Sequence, residues 1–232
     1  MPIRALALAA VLSAGPAHAD ALLDRLLADA RASGADEFAW TRTTRTEQRH
    51  GGETKVRTVI QRYDPSLPPA RRWTLVSIDG RAPTADERAE YDKGRIEAQV
   101  PSYGRIAGYL NARMQRSDAA GRPVYRGVGM PKGMFMVNKH DLSAKAGVEA
   151  HVAEGPKPYV EQVKLVSGEP FRMMLVAKVD RVEGITRYKL MPDGRPVIAE
   201  QEMVTTGSMM GKSGTIRSIS TYSDHRAVRA GG

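Results

Sequence analysis

Residues Gly207-Ser208-Met209-Met210-Gly211-Lys212-Ser213 come nearest to a chemical motif in this chain. A phosphate-binding loop uses glycine backbone N–H groups, a lysine and a hydroxyl, and it must lead into a helix whose N-terminus faces the phosphates. Here the pattern is one residue short, because Thr206 stands where the first glycine belongs. The sequence that follows, TIRSISTYS, alternates as a strand rather than as a helix. The segment therefore reads as a hairpin loop, and no nucleotide site is expected from it.

Histidine offers the next chemistry. If a leader is removed as argued below, His50, His140, His151 and His225 remain. No two stand four residues apart, and no H-E-x-x-H is present, so a metal site would have to be assembled across strands. Asp224-His225 invites a triad, but G-x-S-x-G is absent and adjacent strand residues point to opposite faces. Asp86, Glu87 and Glu90 sit on one short charged helix and read as a solvated face. With no cysteine in the chain, disulfides, thiolate metal sites and thiol catalysis are excluded. The expectation is no enzyme, no metal and no cofactor.

The elements that would position any site are mostly strands. One amphipathic helix comes first, Asp20 to Ser33, with Leu22, Leu23, Leu26, Leu27 and Ala30 at helical spacing, Asp20 as N-cap and Gly34 as stop. Three strands follow, Glu37–Arg49, Lys55–Asp64 and Arg72–Asp79, joined through His50-Gly51-Gly52-Glu53 and a proline loop into an antiparallel meander. Residues 80–147 read as an insertion. It holds a helix from Thr84 to Gly94 opened by a capping box, a second helix from Pro101 to Gln115, a loop from Ser117 to Pro131 and a short strand at Met134–Asn138. Strands resume at Val148–Glu154 and Tyr159–Ser167. The stretch Phe171–Tyr222 then reads as FRMMLVAKVD, GITRYKLM, RPVIAEQEMVTT and GTIRSISTYS, with Asp193-Gly194 as its strongest turn.

The first 19 residues read as a signal peptide. Arg4 gives the positive end, Ala5 to Ala14 an apolar run too short to span a bilayer, and Ala17-His18-Ala19 a small-x-small cleavage site before Asp20. The expected location is the periplasm, with residues 20–232 as one domain and the chain a monomer. The formal net charge of +9 favours acidic partners. Export makes nucleic acid an unsuitable one, which leaves anionic lipid, polysaccharide or envelope proteins.

A leader followed by one amphipathic helix, the pattern W-x-R-x-x-x-x-E at Trp40 to Glu47, a D-G hairpin and the closing YSDHR at Tyr222 to Arg226 together resemble the periplasmic lipoprotein carriers of the LolA and LolB type. The resemblance implies an α+β, mainly β fold: a curved antiparallel sheet, or half-open barrel, with an N-terminal helix and an inserted helical lid. It implies a non-catalytic carrier of lipid or lipoprotein acyl chains; lacking cysteine, this chain would be the soluble rather than the lipid-anchored form. The apolar strand positions that would line the concavity are Trp40, Val56, Ile60, Trp73, Leu75, Met173, Leu175 and Met203. An inward basic residue holding the lid would be Arg57 or Arg62. The alternative reading is an envelope structural or regulatory module that binds protein or anionic polysaccharide through its basic face.

Overall fold

The computed structural model describes residues 20–94, 100–111, 113–174 and 177–228. The leader, its cleavage point and Leu175 lie outside the described residues. Helix α1 (Ala21–Ala32) starts where the sequence places it: the Asp20 carboxylate accepts from the backbone N–H of Leu22 and Leu23, both at 3.1 Å. This satisfies two amides that a helix N-terminus leaves without partners. Leu23, Leu26, Leu27 and Ala30, spaced at three and four residues, form its buried stripe.

The strands are β1 (Phe38–His50), β2 (Glu53–Tyr63), β3 (Trp73–Ile78), β4 (Gln115–Ala119), β5 (Arg122–Val128), β6 (Met136–Val137), β7 (His140–Asp141), β8 (Gly147–Ala153), β9 (Tyr159–Val166), β10 (Phe171–Met174), β11 (Ala177–Leu190), β12 (Pro196–Met209) and β13 (Lys212–Ala227). Eleven of them form one antiparallel sheet in the order β3-β2-β1-β13-β12-β11-β9-β8-β5-β4, with β10 paired to one end of β11. β3 and β4 are the edges, so the curved sheet is not closed. β6 and β7 make a separate small hairpin. Among the described residues the other α-helices are α2 (Ala85–Gly94) and α3 (Ile106–Tyr109), the latter preceded by a tight turn at Tyr103–Arg105. None of the described helices is long and apolar enough to cross a membrane.

The hairpins follow from backbone chemistry. Met210-Gly211 has φ of 52° and 76° and joins β12 to β13 with only two residues. Positive φ at both central positions matches the twist of the flanking strands and favours glycine at the second. The near-motif at Gly207–Ser213 is therefore two strand ends and a tight turn, with no helix N-terminus behind it. Thr84 caps α2 as the sequence implies: its hydroxyl accepts from the Glu87 amide (3.2 Å) and the Glu87 carboxylate accepts from the Thr84 amide (2.8 Å).

Four segments depart from the sequence reading. The helix expected over Pro101–Gln115 shrinks to Tyr103–Tyr109, because Leu110 turns extended and buries, and Asn111 closes a turn on the Arg113 amide. Ser117–Pro131, expected as a loop, contains most of the β4–β5 hairpin, which extends the large sheet beside β8. The 80–147 insertion is thus partly sheet rather than all helix and loop. FRMMLVAKVD divides into β10 and the start of β11. Gly184, read as the start of a new strand, lies mid-strand in β11, paired with Met203 and Leu165.

Candidate ligand-binding trough

Strand pairing shows which side chains share the inner face. Trp40, Arg42, Thr44 and Thr46 alternate along β1, and across the sheet they register with Tyr222, Ser220 and Ser218 of β13, Gln201 and Met203 of β12, Gly184 and Thr186 of β11, and Leu165 of β9. α1, the Tyr103–Tyr109 helical turns and the Pro131–Leu142 segment lie over this face.

One end of the face is filled. Trp40 stacks on Tyr63 at 5.1 Å and meets Trp73 and Tyr222 edge-on, each at 5.2 Å. Tyr103 packs edge-on against Tyr188 at 5.2 Å, and its hydroxyl accepts from the Val160 amide at 2.9 Å. Burial pushes the Tyr103 phenol up to about 12 and raises Tyr188 well above the ordinary tyrosine range. These phenols are neutral structural donors and acceptors at any physiological pH. The stripe of α1 completes this end, and Asp20 Oδ2 accepts from the fully buried Tyr125 hydroxyl at 2.8 Å.

The middle of the face is not filled. A cavity of 530 Å³ lies between the sheet and the covering segment. Its floor is small and polar: the Thr44 and Ser220 hydroxyls are 2.8 Å apart, and those of Thr46 and Ser218 are 3.0 Å apart. Tyr222 donates to Gln201 Oε1 at 2.6 Å. Its roof and walls are Met134, Phe135, Met136 and Met203. Further along the same face, Thr205, Ile216, Val179, Met173 and Gln48 bound a second, mainly apolar pocket of 170 Å³. Asn138, on the wall of the first, reaches the Met173 sulfur of the second at 3.9 Å. The two pockets follow one another along the same face as a trough that is polar at the first and apolar at the second, toward the β12–β13 hairpin.

Two arginines border the cavity. Arg42 donates to Gln61 Oε1 at 2.8 Å through Nε and lies over the Trp73 ring at 5.2 Å. Burial pushes the Tyr222 phenol up, and the adjacent Arg42 guanidinium opposes that rise. Arg105 donates to the Tyr109 hydroxyl and to the Met134 carbonyl, both at 2.9 Å, and so ties α3 to the covering segment. Glu202 also borders the cavity, but its register places it with the outer face, where it accepts from Arg217 Nε at 2.7 Å.

Of the residues expected to line the concavity, Met203 and Met173 do so, one in each pocket. Trp40, Trp73 and Leu75 are on the inner side but buried, the two tryptophans in the aromatic pack. Val56 and Ile60 require correction. Val56 pairs with Glu47 and Ile60 with Thr43, which puts both on the outer face, and Val56 is 49% exposed. The lid arginine also requires correction. Arg62 is on the outer face and Arg57 is exposed on the inner side of β2, while the covering segment is held by Arg105. Arg42 was within reach of the sequence: two residues after Trp40 on a strand, it must share the Trp40 face. Arg105 was not, because a helix expected over Pro101–Gln115 gives it no fixed partner.

Among the described residues no three or more His, Asp or Glu side chains gather to hold a metal. The Asp224-His225 pair lies at a bulge of β13: Asp224 has φ 53°, and the register of β1 against β13 shifts there. His225 Nε2 is buried without a hydrogen-bond partner, and neither Asp224 oxygen supplies one. Comparison with protein-family models, with curated proteins and with solved structures finds no match.

Proposed function

We propose that the protein is an exported, non-catalytic binder or carrier of a ligand bearing an acyl or alkyl chain, in the manner of the LolA and LolB type carriers that its sequence resembles. One observation carries this reading: the amphipathic helix α1 fills only one end of a wide, curved sheet, and a cavity of 530 Å³ and an apolar pocket of 170 Å³ stand one after the other along the same face beyond it. A volume of several hundred cubic ångströms, concave and walled by flexible methionines, matches small-molecule sites. The leader-like first 19 residues support an activity outside the cytoplasm.

The alternative, a module that docks through a basic outer face, has less behind it. On that face positive charges meet negative ones across strands: Arg126 with Glu149, Lys164 with Glu183, Arg187 with Glu200 and Arg217 with Glu202. In these four pairs the charges balance, which leaves that part of the face with little net positive charge for a polyanion.

Protein isolated without detergent and extracted with organic solvent should release lipid in near-stoichiometric amount, identified by mass spectrometry. Delipidated protein should take up a fluorescent fatty acid that unlabelled fatty acid displaces. A protein that carries no lipid and takes up no probe would sink the proposal.

A further inference from the structure

The trough is polar in its middle and apolar toward the β12–β13 hairpin, and the two cationic side chains on its wall are both in the polar part. A ligand that was only a hydrocarbon chain would leave the Arg42 guanidinium facing apolar surface, which is costly. A ligand that was only a small ion would leave the apolar pocket bounded by Val179, Ile216 and Met173 unused. Arg42 is the more telling of the two arginines. It contacts neutral groups, Gln61, the Trp73 ring and the adjacent Tyr222 hydroxyl, and among the described residues it forms no ion pair with a carboxylate. Most outer-face arginines differ in this respect, each meeting a glutamate or aspartate. A guanidinium has five N–H donors, so bonding Gln61 leaves some to offer a ligand.

We propose that the cavity binds the anionic head of a single-chain amphiphile. Its carboxylate or phosphate would meet Arg42 and Arg105, with Gln201 and Ser220 as neutral partners. Its chain runs over Met203 toward Val179 and Ile216 and leaves by the hairpin end. This deepens the carrier reading and rests on it. Head and tail are recognised by different residues, so they are separable: the arginines decide the charge preference, while the methionines and the Ile216 pocket decide chain affinity. Guanidinium binding to carboxylate or phosphate is charge-assisted, and at a half-buried site it is stronger than any hydroxyl contact.

The test titrates delipidated protein calorimetrically with three probes: decyl phosphate below its critical micelle concentration, decanol, and inorganic phosphate. Wild type should bind decyl phosphate at least about tenfold more tightly than decanol, the yield of one charge-assisted contact. Inorganic phosphate should bind far more weakly than decyl phosphate. Arg42→Gln should bring the decyl phosphate to decanol ratio close to one, and Arg42→Lys should keep part of it. Gln201→Glu is nearly isosteric, retains an acceptor for Tyr222 and puts a negative charge at the head position. It should lower the ratio even if Arg42→Gln folds poorly, which circular dichroism would reveal. Equal binding of decanol and decyl phosphate by wild type, or a ratio unchanged in both Arg42→Gln and Gln201→Glu, overturns the head-group assignment and leaves the carrier reading standing. Inorganic phosphate binding as tightly as decyl phosphate overturns the tail assignment. Failure of both alkyl probes to bind overturns the inference together with the carrier reading.

Discussion

The two ends of the trough are built on the same strands and differ in what stands on them. At the helix-covered end, β1 presents Trp40, β2 Tyr63, β3 Trp73 and β13 Tyr222, and all four are buried. A few residues further along the sheet, the inner positions are Thr44, Thr46, Ser218, Ser220 and Gly184, and a cavity stands above the last three. Broken pairing cannot account for the cavity, since the β1–β13 ladder is regular from Thr41 to His50 and shifts register only beside Trp40, at the packed end. Side-chain volume and helix coverage decide it. Aromatic rings and α1 complete a close-packed core at one end, and small hydroxylated residues leave room at the other. One region supplies stability and the other supplies space.

Substitutions at the two ends should therefore separate in size. Trp40→Ala removes a ring with three aromatic neighbours from a site only 3% exposed and should cost about 3–5 kcal/mol, seen as a lower denaturant midpoint. Met203→Ala, beside an existing cavity, should cost about 1 kcal/mol while weakening uptake of the fluorescent fatty acid. Equal losses at both positions would break the comparison, because they would mean that the open end is packed.

Two glycines sharpen it. A Cβ on Gly104 would stand 2.5 Å from the Ser33 carbonyl oxygen, since the Tyr103–Arg105 turn crosses the end of α1 backbone to backbone. Gly104→Ala should cost about 1–3 kcal/mol. A Cβ on Gly184 would meet only Met203 and Phe135 side-chain atoms, at 3.6 Å or more. Gly184→Ala should be neutral or stabilising by about 0.4–1 kcal/mol, because a mid-strand glycine loses the most conformational freedom on folding. Thermal melts of the two variants should move in opposite directions, and a parallel fall would remove the distinction.

The packed end was largely legible in the sequence, and the open end was not. At the packed end the stripe of α1 and the Asp193-Gly194 turn follow from local rules, as do the Thr84 cap and the Gly51-Gly52 turn elsewhere in the chain. The β4–β5 hairpin escaped because its turn is Ala120-Gly121 rather than Asn-Gly or Asp-Gly, and because every residue of β4 is exposed and shows no alternation. Alternation divides a strand into two faces without saying which is covered, and Val56 and Ile60 were assigned by apolarity alone. Near the tip of the β1–β2 hairpin neither face is buried, so apolarity carries no information there. Bulges add to this. Ala199 is an extra residue in β12, so Val197 and Gln201 do not share a face as strict period-two counting requires. That the inner face is polar at its centre depends on register across five strands, which no single segment contains.

Asp20 tests how firmly the packed end is held. Its carboxylate caps α1 through one oxygen and accepts from the buried Tyr125 hydroxyl through the other. Asp20→Ala should cost about 1–2 kcal/mol, most of it shared with Tyr125→Phe in a double-mutant cycle. Additive losses would show that the helix cap and the phenol contact act independently and that α1 is not clamped to β5 through this group.

The smallest effect should come from pH, and it too belongs to the packed end. His225 sits beside Phe38, Trp40, Tyr103 and Ile198, half-buried, with Nε2 lacking a partner. Burial and the nearby Lys189 hold its pKa below the ordinary 6.5, only partly opposed by the Ile198 backbone and by Asp224. The unfolded chain therefore takes up a proton at His225 before the folded chain does. Stability from the neutral imidazole is complete above pH 6.5 and declines as pH falls toward the folded-state pKa, with a slope of at most one proton. Denaturant midpoints measured from pH 7.5 to 5.5 should fall gently, over a range in which ion-paired carboxylates such as Glu47 and Glu183, with pKa values lowered by their arginine and lysine partners, stay charged. His225→Gln should flatten the profile. A slope that survives the substitution would assign the titration to another group and leave the packed end without a pH-sensitive member.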